Sequence, residues 1–262
     1  PEAQIVLVVV ATLAAVFWFG ASIFYSLGFR PFGPQRNRAV PWTIFEVLLL
    51  APMIVAGVCR GLVPRLQDIS SQSFSAAEQI SLLLVITLPF VLVVCRGAQP
   101  YQMGLHSSHC LRNILLGFAS FLLAVPLIAS TNLIALQFFE RTPHSIEQAI
   151  KQSPTIPNFI LASVGAVIIA PFLEELMFRG ILLPWLRRVL GPWPAILISS
   201  FLFAIAHFDA WPAPIALFVL ALFLGYLAHR TTSLVVPVAL HATFNAANMA
   251  LLIVAVYSGI EI

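Results

Sequence analysis

The sequence predicts an all-α fold, a polytopic bundle of about eight transmembrane helices, and three observations predict it. Of 262 residues, 60% are hydrophobic and only 9% are charged, where a soluble domain carries roughly 25% charge. Mean hydropathy is +0.99. The apolar residues also fall into stretches long enough to cross hydrocarbon; about 20 residues per span plus about ten per connection give roughly eight spans. This composition excludes a soluble enzyme, a nucleic-acid binder and a disordered chain.

The spans follow in order, each closed by helix breakers. The first, Ile5 to Tyr25, has no basic segment before it and no small-residue cleavage site after it, so it reads as a true span. Pro31-Phe32-Gly33-Pro34 ends it. Thr43 to Val63 stops at Pro64, and Ile80 to Cys95 stops at Gly97 to Pro100. Leu111 to Phe139 leads into a polar connection, 140–157, containing Pro143, Pro154 and Pro157. The fifth span, Asn158 to about Leu183, carries charges near its end and closes at Gly191-Pro192. Pro194 to His207, Ala213 to Ala228 and Val235 to Tyr257 complete the set, with Pro212 and Pro214 between the sixth and seventh. There is no internal repeat. The organisation is four spans over 1–157 and a second group over 158–262, within one integral domain.

Charge orients the bundle. The net charge of +3 comes from 12 Arg and one Lys against 10 acids, scattered through loops in a way that suits topology and not a nucleic-acid surface. Connections after odd-numbered spans hold Arg30, Arg36, Arg38, Arg96, Arg112, Arg187, Arg188 and Arg230; those after even-numbered spans hold Arg60, Arg65, Arg141 and Lys151. The positive-inside rule then places the odd connections in the cytoplasm and both termini outside. Cys59, Cys95 and Cys110 have no CxxC spacing and read as ordinary membrane residues.

Ionisable groups inside apolar segments carry the functional information, because each costs about 2.5 to 3.5 kcal/mol at a helix centre on insertion scales. Glu174, Glu175 and Arg179 lie in one apolar helix, His207 ends another, and His241, Asn245 and Asn248 open a third. Glu46 stands alone near the start of the second span and reads as structural or interfacial. Glu175 and Arg179 are four apart and can pair, while Glu174 points about 100 degrees away, outside that pair. His241 and Asn245 project from one face. A carboxylate, two imidazoles and an amide brought together in a low-dielectric interior suit a hydrolase that activates water. Glu174 is then the general base, His207 helps hold the water, and His241 and Asn245 donate to the oxyanion formed at a peptide carbonyl.

These residues resemble a known family. Glu174-Glu175-x-x-x-Arg179, Phe203-x-x-x-His207 and His241-x-x-x-Asn245, in that order on successive membrane helices, look like the CPBP superfamily: the type II CAAX prenyl endopeptidases and the bacterial proteins linked to bacteriocin processing and immunity. The resemblance covers about Asn158 to Tyr257. It implies a glutamic-type intramembrane endopeptidase that works without a metal or other cofactor. In it Glu174 and His207 activate water, His241 and Asn245 form the oxyanion site, and Glu175 and Arg179 support them. The implied partners are membrane lipid and a membrane-anchored or lipidated peptide substrate, with no nucleic acid. Cleavage near the cytoplasmic face of a bacterial inner membrane is the corresponding expectation. Two alternatives stay open: a zinc protease using one Glu and two His, although no HExxH is present, and a non-enzymatic transporter or immunity scaffold using the same buried charges.

Overall fold

A computed structural model describes residues 40–66, 87, 90–105 and 109–259. Helices dominate it, and no strand occurs among the described residues. The expected first span lies outside them, as does most of the third, of which 87 and 90–95 are seen as helix. The expected second span is broken. Helix α1, Ile44–Leu48, and helix α2, Ala51–Leu66, are separated by a turn at Leu49-Leu50. Pro52 explains the break, since it offers no N–H to the Leu48 carbonyl and its ring crowds that oxygen.

Helix α3 spans Cys110–Phe138 and α4 is the short Ser145–Gln152. A single helical rod, α5, then runs from Ile156 to Leu190, beyond both ends of the expected fifth span. Two stretches of it, Val164–Ile169 and Leu176–Leu182, widen to π-helical hydrogen bonding, with Ala170 N–H donating to Gly165 O and Leu183 N–H to Phe178 O. Each wide stretch lies just before a proline, Pro171 or Pro184. A proline leaves an upstream carbonyl without its donor, and a π turn shifts the register to accommodate that loss. Glu174 and Glu175 fall between the two.

Gly191, at φ +82, turns the chain into α6, Pro192–Ile205. Helices α7, Ala213–Thr231, and α8, Val235–Ser258, follow. Helices α3, α5, α7 and α8 are long and apolar enough to cross a membrane. Helix α6 has 14 residues, about 21 Å at 1.5 Å per residue, which is short of the roughly 30 Å hydrocarbon core. His207 sits just past its C-terminal end. Leu111, Leu115, Phe118 and Leu122 along α3 stay exposed, as lipid-facing side chains must.

Helices α3 and α8 cross in close contact at Gly117, where an added Cβ would stand 2.6 Å from both the Ala239 methyl and the Val236 carbonyl oxygen. In the N-terminal part, Trp42 is fully buried and its Nε1–H donates to Ile181 O at 3.0 Å, tying that segment to α5.

Candidate active site

Helix α5 supplies two carboxylates with different fates. Glu175 and Arg179 have fully buried side chains and pair along the helix, Arg179 Nη1 to Glu175 Oε1 at 2.9 Å. The guanidinium is held from three other directions. Its Nη2 donates to Ala221 O of α7 at 3.2 Å, and its Cζ lies 4.6 Å from the Phe203 ring centroid and 5.7 Å from that of Phe178. A cation over an aromatic face is stabilised by the ring quadrupole, the more so when dry.

Glu174 stands outside this pair, as its position on the helix requires. Its Oε2 is buried without a hydrogen-bond partner in the protein. Two imidazole nitrogens flank it, His207 Nε2 at 3.7 Å and His241 Nε2 at 3.9 Å. Both distances exceed direct hydrogen-bond range. The side chains of Glu174 and His207 keep 21% and 25% of their exposure, whereas His241 has 4% and Glu175 none. The cluster thus has an open side at Glu174 and His207 and a sealed side at Glu175.

Hydrogen bonds fix the rings. His207 Nδ1 lies 2.9 Å from Phe203 O; a carbonyl can only accept, so Nδ1 carries the proton and donates. His241 Nδ1 lies 3.0 Å from Glu175 Oε1, and donates to that carboxylate. Phe203 is fully buried under the whole cluster. Its ring centroid is 4.8 Å from His207, 5.6 Å from His241 and 5.2 Å from Phe178. Sequence reading had Phe203 only as a motif letter; here it is the floor on which two imidazoles and a guanidinium rest.

The structure brings Glu174, Glu175, Arg179, His207 and His241 together. It holds Asn245 at a different point of α5, where Nδ2 donates to Ala166 O at 2.7 Å. The reason is local. Within the first π stretch the Ala170 N–H is taken by Gly165, and the next residue, Pro171, has no N–H. The Ala166 carbonyl is left for a side chain to satisfy. Asn248 is exposed and donates to Phe244 O in its own helix.

Other residues absent from the sequence reading support the site. Ser199 Oγ donates to Phe178 O at 3.3 Å. Gly57 of α2 lies directly against Ala206, the residue before His207. Glu46 has the structural role expected of it: Oε2 accepts from Thr43 N–H at 2.8 Å and Thr43 Oγ1–H at 2.7 Å, and Oε1 meets Arg96 Nε at 2.8 Å. Among the described residues, no three His, Cys, Asp or Glu side chains are arranged to hold a metal ion.

Residues 156–247 match the family described as type II CAAX prenyl endopeptidase Rce1-like. No curated protein and no solved structure matches the chain. The matched stretch begins at α5 and ends within α8, so it includes every residue of the cluster. With four helices among the described residues long and apolar enough to cross a membrane, the chain is an integral membrane protein whose residues 156–247 match the Rce1-like model of the type II CAAX prenyl endopeptidases.

Proposed function

We propose that this protein is a glutamic-type intramembrane endopeptidase, with Glu174 as general base, His207 as water-holding partner and His241 with Asn245 as oxyanion donors. The observation that carries the reading is the Glu174 Oε2 acceptor, buried without a partner and set between two imidazole Nε2 atoms at 3.7 and 3.9 Å. His207 donates from Nδ1, so its Nε2 presents a lone pair. Glu174 Oε2 and His207 Nε2 are then two acceptors separated by the span of one water, which donates a hydrogen to each. That water is oriented with its oxygen lone pairs outward.

Arg179 pairs with Glu175, and His241 Nδ1–H is held by the same carboxylate, which leaves His241 Nε2 on the Glu174 side of the cluster. In the proposed reaction the ring carries a proton on Nε2 as well and donates from it. In the reaction Glu174 takes a proton from the water and the hydroxide adds to the scissile carbonyl carbon. The oxyanion accepts from His241 Nε2–H and from the second Nδ2–H of Asn245, the first being held by Ala166. Glu174 then returns its proton to the leaving amine as the C–N bond breaks. Phe203 and Arg179 touch no reacting atom; they position the groups that do.

The substrate class that fits is a membrane-anchored or lipidated peptide, of the CAAX type that the Rce1-like match suggests. The lipid-facing flanks of α5 would solvate its tail. His241 lies six residues into α8, about 9 Å from the start of that helix, and the open side at Glu174 admits the peptide. The test is cleavage of a prenylated CAAX peptide by the purified protein in proteoliposomes. Glu174→Gln, His207→Ala and His241→Ala each abolish cleavage while membrane insertion is retained. Full activity in Glu174→Gln overturns the reading. Loss of wild-type activity on chelation with recovery on adding zinc overturns it in favour of a metalloprotease.

A further inference from the structure

One polar residue that the sequence singles out takes no part in the cluster. Asn248 lies seven residues after His241 on α8, and its side chain is exposed. At about 100 degrees per residue, His241, Asn245, Asn248, Leu252 and Ala255 fall within an arc of about 80 degrees on that helix. The two ends of this stripe are closed. His241, Leu252 and Ala255 are buried, and Leu252 belongs to an apolar cluster with Ile150 of α4 and Phe159 of α5. Exposure in the middle of a stripe that is buried before and after it marks a recess in the helix packing.

The recess is distinct from the lipid face of α8. Val254 and Tyr257, which are exposed and apolar in character, lie about 120 and 180 degrees from Asn248 around the helix. Toward the cluster the accessible surface continues: Phe244 and Asn245, between His241 and Asn248 on the same side of α8, are both half-buried, and the cluster itself is open at Glu174 and His207. Asn248 Nδ2 donates one hydrogen to Phe244 O at 2.9 Å. Its Oδ1 and its second Nδ2–H make no hydrogen bond among the described residues. A carboxamide in the middle of a membrane helix is costly unless such groups are matched.

We infer that Asn248 is a substrate-binding residue of the endopeptidase proposed above, on which this inference rests, and that its carboxamide pairs with the peptide backbone beside the scissile bond. In an extended chain the N–H and C=O of one residue point to the same side. Oδ1 accepts from that N–H, and the second Nδ2–H donates to that C=O. Asn248 stands about 4.5 Å beyond Asn245 along α8, and an extended peptide advances about 3.3 Å per residue. For a peptide lying along α8, the pairing falls one to two residues from the carbonyl that Asn245 is proposed to hold. A helical segment has these groups bonded internally and cannot make the contact, so Asn248 selects an unwound stretch of substrate.

The test is steady-state cleavage, in proteoliposomes, of a prenylated CAAX peptide and of versions N-methylated singly at each residue within two of the scissile bond, the scissile nitrogen excepted. Asn248→Leu raises KM about 10-fold, the factor for one net hydrogen bond, and leaves kcat little changed. At one position N-methylation costs the wild type about 10-fold more in kcat/KM than it costs Asn248→Leu, which has no such bond left to lose. Leucine suits an apolar span, so loss of fold does not mimic this result, and Val254→Ala on the lipid face leaves both constants unchanged. An unaltered KM in Asn248→Leu overturns the inference, as does an identical N-methyl profile in the two proteins. A changed oligomeric state in Asn248→Leu with KM unaltered assigns the residue to a contact between copies and overturns it too. Those failures leave cleavage by the wild type intact; no cleavage by the wild type, or full activity in Glu174→Gln, overturns the endopeptidase reading and this inference with it.

Discussion

Gly57→Ala tests whether α2, far from the cluster in sequence, sets the geometry of the proposed water site between Glu174 and His207. Gly57 packs against the backbone of Ala206, and a Cβ there would run into the Ala206 carbonyl oxygen first, with the carbonyl carbon at 2.6 Å and Cα at 3.0 Å. Ordinary contact begins at 3.4 Å and the carbonyl oxygen is the nearest obstacle, so the two backbones must separate by about 1.5 Å. The obstacle is main chain and cannot rotate away as a side chain could. Overpacking of this kind costs about 1 to 3 kcal/mol. The displaced turn carries His207, whose Nε2 stands 3.7 Å from Glu174 Oε2. A misplacement near 1 Å in a catalytic constellation costs about 100-fold in rate. The expected result is therefore a folded protein with a lower melting temperature and kcat reduced by at least about two orders of magnitude, with KM little changed. Steady-state cleavage of a lipidated CAAX peptide in proteoliposomes measures it. Gly165→Ala is the matched control, because a Cβ at Gly165 meets nothing within 4 Å. Wild-type kcat in Gly57→Ala would refute the claim that α2 positions His207.

Two further outcomes follow from the charges. Arg179→Met leaves Glu175 buried without the guanidinium that pairs with it, and breaking a buried ion pair costs about 3 to 5 kcal/mol; the expected readout is loss of a monodisperse peak in detergent size-exclusion chromatography, and a stable, active Arg179→Met would sink this account. In the 140–157 connection, burial pushes the Glu147 carboxyl up, but hydrogen bonds and charge from Arg141 and Lys151 outweigh it and hold the group below 4.5. A folded-state value below the unfolded one means the contribution is fully present above 4.5 and is lost as pH falls through the lower, folded value. Limited proteolysis within 140–157 should stay slow at neutral pH and accelerate only well below pH 4.5, and Glu147→Gln should remove that acid step.

The site was legible in the sequence to the extent that it lies within single helices. Spacing of four puts Glu175 on Arg179, and adjacency excludes Glu174 from that pair; covalent helix geometry dictates both, and both hold at 2.9 Å and at an unpartnered Oε2. His241 and Asn245 share a face as expected, but the face reaches α5 at two points, Glu175 and Ala166. Nothing in the spacing separates those destinations. The π stretches before Pro171 and Pro184 were equally hidden, because the prolines themselves were visible but the register change that absorbs them was not. The interruption of the second expected span was hidden for a related reason: hydropathy runs unbroken from Thr43 to Val63, while Pro52 breaks the helix.

The amino-acid sequence by itself determined that this chain lives in a membrane, that it is helical, and that a handful of scarce polar residues lie within its apolar segments. Those conclusions rest on composition and on the fixed pitch of a helix, which are properties of the chain alone. Only the tertiary structure decided which imidazole nitrogen faces which carboxylate, that Phe203 lies beneath all of them, and that Asn245 reaches the Ala166 carbonyl. These are distances between helices. Interhelical distances depend on how side chains pack, on where a glycine such as Gly57 or Gly117 lets backbones touch, and on which carbonyl a proline leaves open.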